Sequence, residues 1–220
     1  MADALLRVHK VVMNTPLKSV VESHLGYPRG FWGRYVAAVM NRVNVGITRH
    51  ILDQLHLAPG QQVLEIGFGG GVSFDLVLPL ISGGCLHGFD LSADMLRQRT
   101  RERSADIAAG RLELKNGNVV SMPYADASMD RAFAVNVIYF WPEPVAALKE
   151  LCRVLKPGGR LALGVRSKAA MQALGLARPP FRHYEDDEYR KFFIDAGFSH
   201  FEIASTLLAK IETQALIGVK

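Results

Sequence analysis

The sequence predicts an α/β fold: a seven-stranded, mostly parallel sheet with helices on both faces, a C-terminal antiparallel hairpin and an N-terminal helical segment. Three observations predict it. From Gln61 onward short apolar runs alternate with longer amphipathic ones, the βα repetition of a parallel sheet covered on both sides. The last two apolar runs follow each other with no helical pattern between them, so they must pair antiparallel. Before Gln61 the pattern has the helical period throughout, with no strand of its own.

The elements follow in order. Helical periodicity predicts Ala4 to Met13, Leu17 to His24, and a longer Phe31 to Leu57 with room for a break near Asn44 and Gly46. QVLEIG, GCLHGFD, RLELKNGN, MDRAFAVNV and RLALGVRS are short, rich in Val, Leu, Ile and Phe, and bounded by turn residues, as strands are. Between them Val72 to Ile81, Ala93 to Ala109 and Pro144 to Leu155 are expected as helices, with Ser92 and Glu143 as start signals. After Arg166 a Gly- and Pro-rich loop, GLARPP, leads to a helix over Tyr184 to Ala196. Its acidic start EDDE suits the helix dipole, and Gly197 is its stop. FSHFEIAS and LLAKIETQALIGVK supply the hairpin.

At 220 residues, 49% hydrophobic and 21% charged, the chain suits one globular domain. It divides into a helical segment, 1–57, and a domain proper, 58–220. Asp3, Arg7 and Lys10 interrupt any secretory apolar core. The longest uncharged stretch, Leu76 to Phe89, is broken by Pro79, Gly83 and Gly84, so a cytoplasmic location is expected. Cys85 and Cys152 each stand alone in an apolar run and read as buried thiols, not a disulfide or metal pair. The net charge of +5 is concentrated: residues 1–50 hold seven Lys or Arg against Asp3 and Glu22. That segment therefore faces a different partner, or solvent, from the balanced remainder.

The chemistry starts at VLEIGFGGG, Val63 to Gly71. Glycines at 67 and 69 begin a dinucleotide fingerprint, but Val72 stands where its third glycine belongs. Glu65 opposes an anionic pyrophosphate and suits a ligand carrying positive charge. Further along, HGFDLSADML places Asp90 23 residues after Gly67, at the end of the second strand, where a carboxylate can accept from both hydroxyls of a ribose. NGNVVSMPYAD, FAVNVIYFWPEP and VLKPGGRLAL follow, each at the end or start of an expected strand.

With these motifs in this order the chain resembles the class I S-adenosylmethionine-dependent methyltransferases, in the small-molecule branch of quinone and sterol C-methyltransferase-like proteins, over roughly residues 45–218. The resemblance implies a Rossmann-like sheet, S-adenosylmethionine as cofactor, and a cofactor site of Glu65, Gly67, Gly69, Gly71, Asp90, Leu91, Met95, Asn118, Val119 and Asn136. Asn118 stands where the family usually has an aspartate. Its amide oxygen can still accept from the adenine amine. Asn136 falls beside the methionine moiety. A nicotinamide-dependent oxidoreductase would share the sheet and Asp90, and a cofactor-binding partner protein without turnover would share every motif.

Methyl transfer needs alignment and exclusion of water more than it needs a base. If a base is used, Tyr139 and His183 are the candidates, and Arg166, at the end of the fifth strand, can meet an anionic acceptor. NVIY, Asn136 to Tyr139, lacks the two prolines of amino-methyltransferases that act on nucleobases. The arginines of RQRTRER spread over more than one helix face, so a nucleic-acid acceptor is disfavoured. The EDDE run has no His or Cys at ligand spacing, and no metal is expected. GYPRGFWGRY, Gly26 to Tyr35, mixes aromatics with arginines. It suits a hydrophobic or anionic small-molecule acceptor, or peripheral contact with an anionic membrane. The assembly is expected to be a monomer or homodimer.

Overall fold

The computed structural model describes residues 44–174, 176, 179, 181–208 and 210–220. Helix α1 is described over residues 44–55. Then come β1 (Gln62–Ile66), α2 (Phe74–Val77), β2 (Cys85–Asp90), α3 (Ala93–Glu102), α4 (Ser104–Ala108), β3 (Leu112–Asn116) and β4 (Met129–Val135). A single 3-10 turn (Ile138–Phe140) precedes α5 (Pro144–Val154), β5 (Leu155–Arg166), α6 (Lys168–Ala173), α7 (Asp186–Asp195), β6 (His200–Leu208) and β7 (Ile211–Val219).

The seven strands form one sheet in the order β3-β2-β1-β4-β5-β7-β6. The first five strands pair parallel, and β7 pairs antiparallel with both β5 and β6. The direction of winding reverses between β1 and β4, whose neighbours Ile66 and Ala134 lie in register. That reversal opens a crevice at the carboxyl ends of the strands, the place where open α/β sheets hold ligands. Each face buries its own core. Leu64, Phe89, Leu151, Leu163 and Phe193 lie on one side. Ile51, Phe74, Leu86, Phe133 and Ile217 lie on the other.

Several expected boundaries move, each for a physical reason. The helix expected over Val72 to Ile81 is only the turn Phe74–Val77: Pro79 has no N–H for the Asp75 carbonyl, and Leu80 N bonds tightly back to Val77 O at 2.9 Å. The helix expected over Ala93 to Ala109 breaks at Arg103 (φ −114, ψ 23), whose guanidinium forks onto Asp75 at 2.6 and 2.7 Å. Leu155 leaves α5 extended and opens β5 early, pairing with Met129 before a register shift. Helix α6 lies ahead of the GLARPP stretch, over residues for which no element was expected. Ser167 Oγ caps it by accepting from Ala170 N at 3.2 Å, and KAAMQA consists mostly of good helix formers. Leu207 and Leu208 belong to β6, and the hairpin closes between Leu208 and Ile211.

Other expectations hold. Helix α7 starts on a reciprocal capping box between Glu185 and Glu188. Both cysteines are free thiols; Cys152 is buried as expected, whereas Cys85, at the first position of β2, is only half-buried. Three arginines of the RQRTRER run are engaged with acids, Arg97 with Asp94, Arg99 with Glu102 and Arg103 with Asp75. Among the described residues no helix is long and apolar enough to cross a membrane. The expected helices at Ala4 to Met13 and Leu17 to His24 lie outside the described residues, as does the start of Phe31 to Leu57. The described part of the last is continuous through Gly46.

Candidate active site

The glycine loop leaves β1 in a left-handed path. Gly67, Gly69 and Gly71 have φ of 74, 44 and 68°, a region that costs other residues steric energy. Gly67 and Gly71 are needed twice over. A Cβ on Gly67 would sit 2.5 Å from Val137 Cγ1, and one on Gly71 would sit 2.8 Å from the Phe74 ring. A Cβ on Gly69 would meet nothing nearer than 3.9 Å, so its outer side is open to a ligand. Gly67 N donates to Phe89 O at 2.8 Å, which ties the loop to the end of β2.

Asp90, 9% exposed, has a role the sequence did not suggest. One carboxylate oxygen accepts from Gly69 N and the other from Ser92 N, both at 2.8 Å. It therefore clamps the loop to the end of β2, and each oxygen keeps a lone pair for a ribose hydroxyl. Burial raises its pKa, and the two backbone N–H groups hold that rise in check. Glu65 is 5% exposed and accepts from Ser73 Oγ at 2.5 Å. Burial and the nearby Asp90 charge push it up to about 8. Among the described residues neither carboxylate has a cationic partner. The loop thus holds two buried acids, and Glu65 keeps its proton at neutral pH until positive charge arrives, which fits the ammonium and sulfonium of S-adenosylmethionine and opposes a pyrophosphate.

The remaining expected cofactor residues separate into surface and support. Leu91 is 53% exposed at the mouth of the crevice, and Val120, unmarked in the sequence reading, is 39% exposed at the end of β3's connection. Met95 and Val119 are instead buried in the two cores. They support the crevice walls and do not line an open surface. Asn118 is exposed, and its Oδ1 accepts from Val120 N at 3.2 Å in a local turn. Asn136 ends β4 with a left-handed φ of 56°. Its N–H donates to Gly164 O at 2.8 Å, and its Oδ1 is buried with no partner among the described residues.

Tyr139 is 2% exposed, and its hydroxyl accepts from Arg166 N at 2.5 Å. Burial drives its pKa far above the ordinary phenol value, so this group is a poor proton acceptor at neutral pH and acts as a structural pin. His183 stacks obliquely on it with ring centroids 6.2 Å apart. Its Nε2 lies 2.9 Å from Leu176 O, which as a carbonyl can only accept, so the lone pair of a neutral ring is on Nδ1. Arg166 follows directly on the strand, half-buried.

A doubly wound sheet with an antiparallel seventh strand inserted beside β5, carrying an acidic glycine loop and a carboxylate at the end of β2, defines the class I S-adenosylmethionine-binding fold. Comparison with known proteins agrees: residues 64–163 match the methyltransferase domain family. An uncharacterized protein from a transposon of Streptomyces fradiae is 31% identical over 163 residues, 68% of this chain and 46% of its own length. The demethylmenaquinone methyltransferase of Lactiplantibacillus plantarum is 32% identical over 126 residues, 55% of this chain and 53% of that one. Among solved structures, a SAM-dependent methyltransferase from Aquifex aeolicus superposes with a TM-score of 0.62 at 20% identity, covering 78% of this chain and 88% of that chain. The chain spans about half the length of these curated relatives. Over residues 64–163 it is similar to the methyltransferase domain family, on a sheet with the class I fold.

Proposed function

We propose that the chain transfers a methyl group from S-adenosylmethionine to a small organic acceptor. The observation that carries this is the pair of buried acids, Glu65 and Asp90, with no cationic partner among the described residues. When bound, the donor supplies an electrophilic methyl on a positively charged sulfur, and the chain's residues hold and shield it. Asp90 would accept from the ribose hydroxyls while it keeps Gly69 in place. Leu91 and Val120 would flank the base, with Asn118 at its edge. Glu65 would face the positive end of the donor, and the partnerless Oδ1 of Asn136 would accept from it as well.

Catalysis in this reading is mainly orientation. Where the acceptor must lose a proton, His183 Nδ1 is the better-placed base, and Tyr139 serves to hold the end of β5. The segment 1–57 would cover the acceptor, with GYPRGFWGRY supplying its apolar wall or a peripheral membrane contact. The test is incubation of cell extract with the protein and methyl-labelled donor, followed by mass spectrometry. One labelled metabolite with stoichiometric S-adenosylhomocysteine is expected. Tight NADH binding without S-adenosylmethionine binding would sink the reading.

A further inference from the structure

Arg166 stands at the last position of β5, where Tyr139 Oη receives its backbone N–H and so fixes the strand end. The alternation of β5 assigns its side chain a face. Leu163 and Val165 belong to the core shared with Tyr139, whereas Ala162 belongs to the opposite core and Gly164 meets Ile47 and Ile51 of α1. Arg166 therefore projects on the α1 side, one step beyond Gly164, whose carbonyl holds Asn136. Among the described residues its guanidinium has no carboxylate partner and no hydrogen bond, and the ionisable neighbour bearing on it is the neutral Tyr139 phenol. Arg103, Arg153 and Arg160, by contrast, each engage an acid. Burial without a counter-charge depresses the Arg166 pKa, a cost that a fold accepts where an anion will arrive.

Resting on the methyltransferase reading above, we infer that Arg166 is the anion-recognition residue of the acceptor pocket, and that the acceptor carries an oxyanion, a carboxylate or phosphate, presented to the planar fork of the guanidinium. Such a fork binds two oxygens of one group and so sets orientation as well as charge. The residue's place past Gly164, on the β5 side of Asn136 and away from the β1–β2 loop, puts it on the acceptor half of the crevice.

Protein saturated with S-adenosylhomocysteine, titrated calorimetrically with benzoate and with the uncharged benzamide, tests this. Wild type is expected to prefer benzoate by about tenfold or more, ~1.4 kcal/mol. Arg166→Gln should abolish the preference, and Arg166→Lys should keep part of it. Equal binding of the two probes to wild type, or a preference that survives Arg166→Gln, overturns the assignment. Affinity for S-adenosylhomocysteine and for 5′-methylthioadenosine, which lacks the amino-acid group, locates the anion. Both should stay within about twofold in Arg166→Gln, whereas a loss of about tenfold for S-adenosylhomocysteine alone would give the guanidinium to the donor's own carboxylate and overturn the acceptor role. Removing an uncompensated charge should also raise the ligand-free thermal midpoint by about 2 to 4 °C, and a fall would mark a purely structural arginine. If wild type fails to bind S-adenosylhomocysteine, the methyltransferase reading falls. The benzoate preference of the ligand-free protein then still decides the question of Arg166.

Discussion

Asn136 Nδ2 donates to Asn44 Oδ1 across 2.9 Å, joining the end of β4 to the first described turn of α1. Thr48 Oγ1 donates to Asn44 O at 2.9 Å and steadies that turn. The bond exists because α1 sits close on the sheet: a Cβ on Gly164 would be 2.7 Å from Ile47 Cγ2. Asn44→Ala leaves a half-buried amide without its partner. We expect S-adenosylhomocysteine affinity to fall by about 1 to 2 kcal/mol with a smaller change in thermal midpoint, and Gly164→Val to produce both losses together. Calorimetric titration alongside thermal melts checks this, and unchanged affinity in Asn44→Ala would remove the residue from the site.

Glu65 predicts a pH dependence with a definite sign. Its folded pKa of about 8 lies above its ordinary 4.5. Between these values the ligand-free fold binds a proton that the unfolded chain has lost, so stability from this group is full below the lower value and declines as pH rises through the upper one. A cationic ligand must displace that proton. Affinity for S-adenosylmethionine should therefore climb from pH 6 and level off above about 8, with proton release visible as a buffer-dependent binding enthalpy. Glu65→Gln should flatten the component due to this group and raise the ligand-free midpoint at pH 8. A wild-type profile identical to that of the variant would count against a protonated Glu65.

Asp90 does two tasks, which a pair of substitutions separates. Asp90→Ala removes the acceptors of Gly69 N and Ser92 N along with those for the ribose, and should weaken S-adenosylhomocysteine binding by about 1 to 3 kcal/mol. Asp90→Asn keeps one acceptor oxygen and should recover part of the loss. Affinity equal to wild type in the alanine variant would place the ribose elsewhere.

The glycines of the loop differ in a way that double substitution exposes. Gly67→Ala meets Val137 Cγ1 and carries a left-handed φ, so it should destabilise by about 1 to 3 kcal/mol. Adding Val137→Ala should relieve the contact and leave only the backbone cost, about 1 kcal/mol. Gly69→Ala should show that smaller cost alone, because its Cβ would meet nothing nearer than 3.9 Å. Chemical denaturation of the three variants checks the pattern, and equal losses for Gly67→Ala with and without Val137→Ala would contradict it.

Tyr139→Phe separates pin from base. Loss of the hydroxyl leaves Arg166 N without its acceptor and should cost about 1 to 3 kcal/mol in stability. The pH–rate profile of methyl transfer should keep its shape, whereas disappearance of an ionisation from that profile would restore Tyr139 as a base.

The features that could be read ahead of the structure are those with local causes. The apolar runs of β1 and β2, the glycine-rich loop after β1 and the acidic start of α7 each arise within a few residues. Pro79 was also a local signal, and it shortened α2 for the reason that its missing N–H dictates. The clamp of Asp90 on Gly69, the tie of Tyr139 to Arg166 and the reach of Asn44 to Asn136 span 21, 27 and 92 residues, and no periodicity encodes them. The sequence by itself determined the order of strands and helices, the path of the glycine loop and the acids beside it, since backbone sterics and hydrophobic period act locally. Only the tertiary structure decided that, among the described residues, Glu65 and the Arg166 guanidinium have no counter-charge and Asn136 Oδ1 no hydrogen bond, because desolvation and pairing depend on what distant segments bring alongside.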